Sequence, residues 1–193
     1  MVGNGGDGVT TKILVSVPFG PRLEVVTVLS VFKMDREGLF VDFFFASGTN
    51  QVLNLNRARR IVLQNGYDYM FIVESDIILP VDSLLALLKV GADICVGLYK
   101  IRKTEHYVHQ INGEFIQFGK HFYQNTGDIE VSRFGLGCCL IKRRVLEEIS
   151  FRTCEGTDVV FSDECRKGGF KAFCNCQVRC GHIDQDGSVY GAL

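Results

Sequence analysis

The chain lacks an excess of charge of either sign, a long apolar run, an internal repeat and a linker, and it holds only three prolines in 193 residues. A net charge of −1 gives no global electrostatic footprint for nucleic acid. No apolar segment reaches the roughly 18–20 residues that a membrane-spanning helix needs. No signal-peptide pattern opens the sequence either. These absences lead to the expectation of a soluble, intracellular (cytoplasmic) protein with no transmembrane segment and no nucleic-acid partner. The prolines, Pro18, Pro21 and Pro80, all fall at the edges of expected elements. One domain is the natural reading of this length, and 47% apolar residues suffice for a sizeable core.

Cysteine is abundant instead. Seven of the eight (Cys138, Cys139, Cys154, Cys165, Cys174, Cys176 and Cys180) lie in the last third. The chain is too long and too regular for a secreted disulfide scaffold. Cys174, Cys176, Cys180 and His182 could hold zinc, but C-x-C-x3-C-x-H is not a usual structural pattern. Buried free thiols are the simpler reading, and one or two disulfides remain an alternative.

Residues 1–11 are glycine-rich and read as a flexible terminus. They contain Gly3-x-Gly5-x-x-Gly8, which precedes the first strand, whereas a dinucleotide fingerprint must follow one. Strands are expected over 13–17, 41–46, 69–73 and 92–98. Helices are expected between them over 21–34, 52–64 (stopped by Asn65-Gly66) and 81–90 (closed by Gly91). Such alternation argues for a parallel sheet with right-handed crossovers.

Residues 99–133 break the rhythm. They are polar, hold His106, His109 and His121, which are expected to be exposed, and carry the hairpin signal Asn112-Gly113. A strand over 134–141, a helix over 142–149 and a helix over 157–167, capped by Thr157 or Asp158, come next. Asp163 and Glu164 read as solvated charges on that helix. A last strand over 170–182 puts Phe170, Ala172, Cys174, Cys176, Val178, Cys180 and His182 on one face. The fold class is therefore α/β: a single domain over 12–193, with a mixed, mostly parallel central sheet flanked by helices.

The most informative stretch runs from Tyr69 to Pro80. Its five leading apolar residues read as a strand buried on both faces. Glu74 and Asp76 stand directly at its carboxyl end, where open α/β sheets bind ligands. Oxygen ligands at such an edge suit a hard divalent cation holding a substrate phosphate. The plainer reading is that both are turn and cap residues.

Four segments, in order, resemble the glycosyltransferases of the GT-A fold. Ala58-Arg59-Arg60 followed by Val73-Glu74-Ser75-Asp76 resembles the metal-binding DxD region, with Glu74 for the first aspartate and Arg60 for an asparagine. Phe134-Gly135-Leu136-Gly137-Cys138 resembles the glycine-bearing strand that faces the acceptor. Thr157-Asp158, with Gly169-Phe170-Lys171 behind it, resembles the segment that opens with Glu-Asp, Thr157 replacing the glutamate. Cys180-Gly181-His182 resembles the strand-end histidine of the metal site.

The resemblance implies a Rossmann-like GT-A domain in which 99–133 is an acceptor-side insert. The implied activity is hexosyltransferase-type: a nucleotide-diphosphate sugar donates to a hydroxyl on a glycan or protein acceptor, inverting or retaining. Asp76 and His182 would hold the metal, for which Mn²⁺ suits a mixed carboxylate and imidazole sphere better than Mg²⁺. Asp158 would be the general base of an inverting reaction. Glu74 would meet the ribose or support the metal ligands, and Pro18, Phe19, Arg59, Ser75 and Gly137 would contact substrate. Taken singly, His182 is a strand-end histidine, Asp158 a helix cap and Arg59 a surface arginine. Two alternatives stand beside this reading. A nucleotidyltransferase of the same fold would carry a glycine-rich basic loop after the first strand, which 17–22 lacks. A non-catalytic interaction protein could also keep the fold.

Overall fold

The computed structural model describes residues 10–124, 126–152 and 156–191. Most of the expected flexible terminus, residues 1–9 with their glycine motif, lies outside the described residues, as does Cys154.

β1 (Lys12–Phe19) leads to α1 (Val25–Lys33), β2 (Phe40–Ser47), α2 (Gln51–Asn65) and β3 (Tyr69–Val73). α1 begins four residues later than its pattern suggests, because the backbone N–H of Glu24, its N-cap, is spent on Ser75 O at 3.0 Å. Asn50 caps α2 by accepting from Leu53 N. Gly66, left-handed at φ 70°, ends α2 as Asn65-Gly66 predicts. β4 (Ile77–Ile78), α3 (Ser83–Val90) and β5 (Ile94–Leu98) follow.

The polar segment is ordered into β6 (Gln110–Ile111), β7 (Glu114–Phe115) and β8 (Asp128–Val131). Asn112 (φ 50°) and Gly113 (φ 87°) form the two-residue hairpin turn. β9 (Cys138–Lys142), α4 (Arg143–Glu148), α5 (Thr157–Lys167), β10 (Ala172–Arg179), β11 (Gly181–Ile183) and β12 (Val189–Tyr190) complete the described chain.

The central sheet runs β2-β1-β3-β9-β5-β10-β8. β9 opposes both β3 and β5, and β8 opposes β10, while the other five strands share one direction. A second sheet joins β12, β11 and β4. Alternate residues of β3 feed two cores: Met70 and Ile72 pack with Leu55, Val62 and Phe161 of α2 and α5. Phe71 and Val73 pack with Val31, Leu84 and Leu87 of α1 and α3. A strand serving both layers has to be apolar at every core position, which explains its unbroken hydrophobic run.

Several expectations need correction. β10 carries a bulge between Asn175 and Arg179, and a bulge reverses which side chains share a face. Cys174 and Cys176 therefore pack on the α2 side while Val178 and Cys180 pack on the other. The expected single strand also ends at Arg179, and His182 belongs to the small sheet. The strand expected from residue 134 starts only at Cys138. Gly156, not Thr157 or Asp158, is the N-cap of α5. Asp163 is bound through both oxygens by Arg133 (3.0 and 2.8 Å). His109 is fully buried: its Nε2–H donates to Gly97 O at 2.7 Å and its Nδ1 accepts from Gly135 N. Burial lowers its pKa to about 4. The seven described cysteines, by contrast, are buried free thiols as expected.

Candidate active site

The carboxyl ends of the five co-directional strands form one edge of the sheet, and the site lies on it. There the turn Glu74-Ser75-Asp76 is held by backbone bonds to three other segments. Glu74 N donates to Gly137 O (3.0 Å), Glu24 N to Ser75 O (3.0 Å) and Ile183 N to Asp76 O (2.8 Å). The two acids are thus presented by fixed backbone rather than by a free loop.

In front of this turn opens a cleft of about 250 Å³. Pro18 and Phe19 from the end of β1, Thr49 after β2, and Gln51 and Asn54 from the first turn of α2 line it with Glu74, Ser75 and Asp76. Gln51 Nε2 donates to Glu74 Oε1 at 2.7 Å. Burial, then the nearby Asp76 and Asp158 charges, push the Glu74 pKa up to about 7, against the Gln51 bond and His182.

Asp76 behaves differently. Burial acts to raise its pKa, but His182 and the Arg102 guanidinium outweigh that and hold it below the usual carboxylate range. The register of β4 against β11 sets His182 opposite Ile77, beside Asp76. His182 Nδ1–H donates to Lys100 O at 2.7 Å, leaving Nε2 as the free nitrogen, 3.8 Å from Asp76 Oδ2. Arg102 Nη2 binds that same oxygen, and Arg102 Nε donates to Ile183 O at 3.0 Å.

Tyr99 supports this arrangement from below. Its ring meets the His182 ring edge-on at 5.5 Å, and its hydroxyl accepts from Gly137 N at 2.9 Å. Burial, then the Glu74 charge, drive the phenol pKa well above its ordinary value. A Cβ on Gly137 would fall 2.7 Å from Tyr99 Cζ, and one on Gly135 would collide with the Tyr99 hydroxyl. The two glycines are therefore required by the close approach of Tyr99.

The structure brings Pro18, Phe19, Glu74, Ser75 and Asp76 together in one cleft, with His182 against Asp76. Asp158 lies in the first turn of α5, where its charge reaches both Glu74 and Tyr99; its Oδ1 accepts from Val159 N at 2.9 Å. Gly137 packs against Tyr99 and reaches the site through its carbonyl bond to Glu74. Arg59 is a correction: it does not line the cleft, and its Nε binds Leu146 O (2.6 Å) and Ile149 O (3.1 Å). It joins α2 to the end of α4.

Sequence reasoning missed Gln51, Tyr99 and Arg102. Gln51 had a usable signal, since the first turn of a helix after a parallel strand faces the ligand edge. Arg102, inside a polar segment of irregular pattern, had none.

No protein-family model matches this sequence, and no curated protein matches it. Among solved structures, the crystal structure of A197 from STIV is similar, with a TM-score of 0.67, 18% identity and 93% of each chain covered. That likeness supports the fold: a single Rossmann-like α/β domain.

Proposed function

We propose that the protein is a metal-dependent glycosyltransferase of the GT-A type, moving a sugar from a nucleotide-diphosphate donor to an acceptor hydroxyl. One observation carries the reading. The acidic turn ending β3 faces a cleft at the carboxyl edge of the sheet, with His182 Nε2 3.8 Å from Asp76 Oδ2. The donor set suits a divalent ion: one carboxylate oxygen, and one imidazole nitrogen whose partner nitrogen is tied to a carbonyl. Mn²⁺ fits that mixture better than Mg²⁺. Asp76 and His182 are the residues that would hold the ion; among the described residues no third His, Cys, Asp or Glu joins them. When bound, such an ion supplies Lewis-acid neutralisation of the leaving diphosphate.

The chain's own residues do the rest. Pro18 and Phe19 border the nucleoside, and Gln51 with Glu74 offers polar partners for ribose hydroxyls. In an inverting reaction Asp158 accepts the acceptor's proton as the acceptor oxygen bonds to the anomeric carbon and the bond from that carbon to the diphosphate oxygen breaks.

The test is thermal denaturation with a panel of nucleoside diphosphates, in Mn²⁺ and in excess chelator. A ligand at about 100 times its Kd should add about 2.7 kcal/mol. The gain is expected only with Mn²⁺, and Asp76→Ala should abolish it while keeping the fold. Equal stabilisation in chelator would remove the metal-bridged reading.

A further inference from the structure

A second cavity of about 220 Å³ adjoins the far side of Ser75 and Asp76, bordered by Arg22, Glu24, Arg102 and Asp184. Its charges form a linked set. Arg22 contacts Glu24, Arg102 contacts Asp76 and lies 3.9 Å through Nε from Asp184 Oδ1, and Lys103 Nζ lies 3.2 Å from Asp184 Oδ2. Of these pairs, only Arg102–Asp76 involves an oxygen that the cleft's histidine also faces. A guanidinium and a dication cannot both hold one carboxylate oxygen without repulsion.

We propose that Arg102 is a built-in counter-cation for Asp76. It holds the carboxylate while donor is absent, yields it to the metal, and then binds the diphosphate that arrives with that metal. The inference rests on the glycosyltransferase reading and adds to it a positioning residue that couples the two ligands. Two features support the exchange. The Arg102 and Asp76 side chains are 35% and 27% exposed, so water can assist the swap. The Nε bond to Ile183 O keeps the freed guanidinium in a cavity that shares Ser75 and Asp76 with the cleft. A planar guanidinium fork also matches phosphate oxygens.

Equilibrium dialysis of the full chain with MnCl₂ alone, and with MnCl₂ plus inorganic pyrophosphate, tests this after correction for ion pairing in solution. In the parent, pyrophosphate should tighten Mn²⁺ binding about tenfold. Arg102→Gln should bind Mn²⁺ alone about fivefold more tightly, because the competing cation is gone. It should also lose most of the coupling. Arg102→Lys keeps the charge but not the fork, so Mn²⁺ alone should bind as in the parent while coupling falls about threefold. The lysine variant decides the question if the glutamine variant does not fold. Parent-like coupling in Arg102→Lys, or identical shifts in both variants, would overturn the proposal and make Arg102 a clamp on Ile183. Parent and Asp76→Ala binding Mn²⁺ equally would instead overturn the metal reading, and this inference with it.

Discussion

Asp93 stands one residue before β5 and Glu74 one residue after β3, so the two carboxylates occupy opposite edges of the same sheet. Asp93 is 8% exposed and thoroughly engaged. Arg144 Nε (2.8 Å) and Nη2 donate to its Oδ1, and Lys171 N donates to its Oδ2 (3.3 Å). Glu74 accepts from a neutral donor, Gln51, and the charges of Asp76 and Asp158 act to raise its pKa. The amino edge neutralises its charge locally and uses it to tie α4 and β10 to β5. The carboxyl edge pairs Asp76 with Arg102 but leaves Glu74 beside the cleft without a cationic hydrogen-bond partner, a cost that the packed layers beneath it must carry. Unequal treatment of similar groups within one sheet is what separates a structural edge from a ligand edge.

The sharpest way to break this contrast is Asp158→Asn. Gly156 is the N-cap and asparagine can still accept from Val159 N, so melting should be unchanged. Transfer should fall about 10²–10⁴-fold with donor affinity preserved, if the carboxylate is the base. A stable, fully active variant would place Asp158 with the structural acids. Asp93→Ala should do the reverse. It should cost about 2–3 kcal/mol in urea denaturation by removing a charge-assisted network, while the folded protein binds donor as before. Loss of donor affinity without loss of stability would erase the distinction between the edges.

Glu74→Gln gives the smallest effect and a defined pH dependence. The folded pKa of about 7 lies above the ordinary 4.5, so the native state binds this proton more tightly than the unfolded chain. Stability is then lost as pH rises from about 4.5 to about 7, and the penalty is complete above that range. Glutamine keeps an oxygen for Gln51 and removes the charge. For a half-buried group we expect about 1–2 kcal/mol of added stability at pH 8 and almost none at pH 4. Denaturant midpoints at the two pH values measure it, and an equal gain at both would mean that the Glu74 charge is not the cause.

The local pattern of residues was enough for the main strands and helices, although not for the short strands β4, β8 and β12 or for the division of 170–182 into β10 and β11. The apolar runs of β3 and β5, the left-handed glycines at 66 and 91 and the Asn112-Gly113 turn act within a few residues of backbone, so they are legible without any partner. It also determined that Pro18, Phe19, Glu74, Ser75 and Asp76 fall at strand ends, because the ends follow from where the apolar runs stop. The tertiary structure alone decided that β9 and β8 run against their neighbours and that a bulge turns Val178 and Cys180 to the other core. It alone set His182 beside Asp76 through the pairing of β4 with β11, sent Arg59 to α4 and brought Arg102 onto Asp76. Each of these depends on the register between segments distant in sequence. A shift of one residue in such pairing reverses which face a side chain occupies, and no local pattern of polar and apolar residues encodes which partner will supply that register.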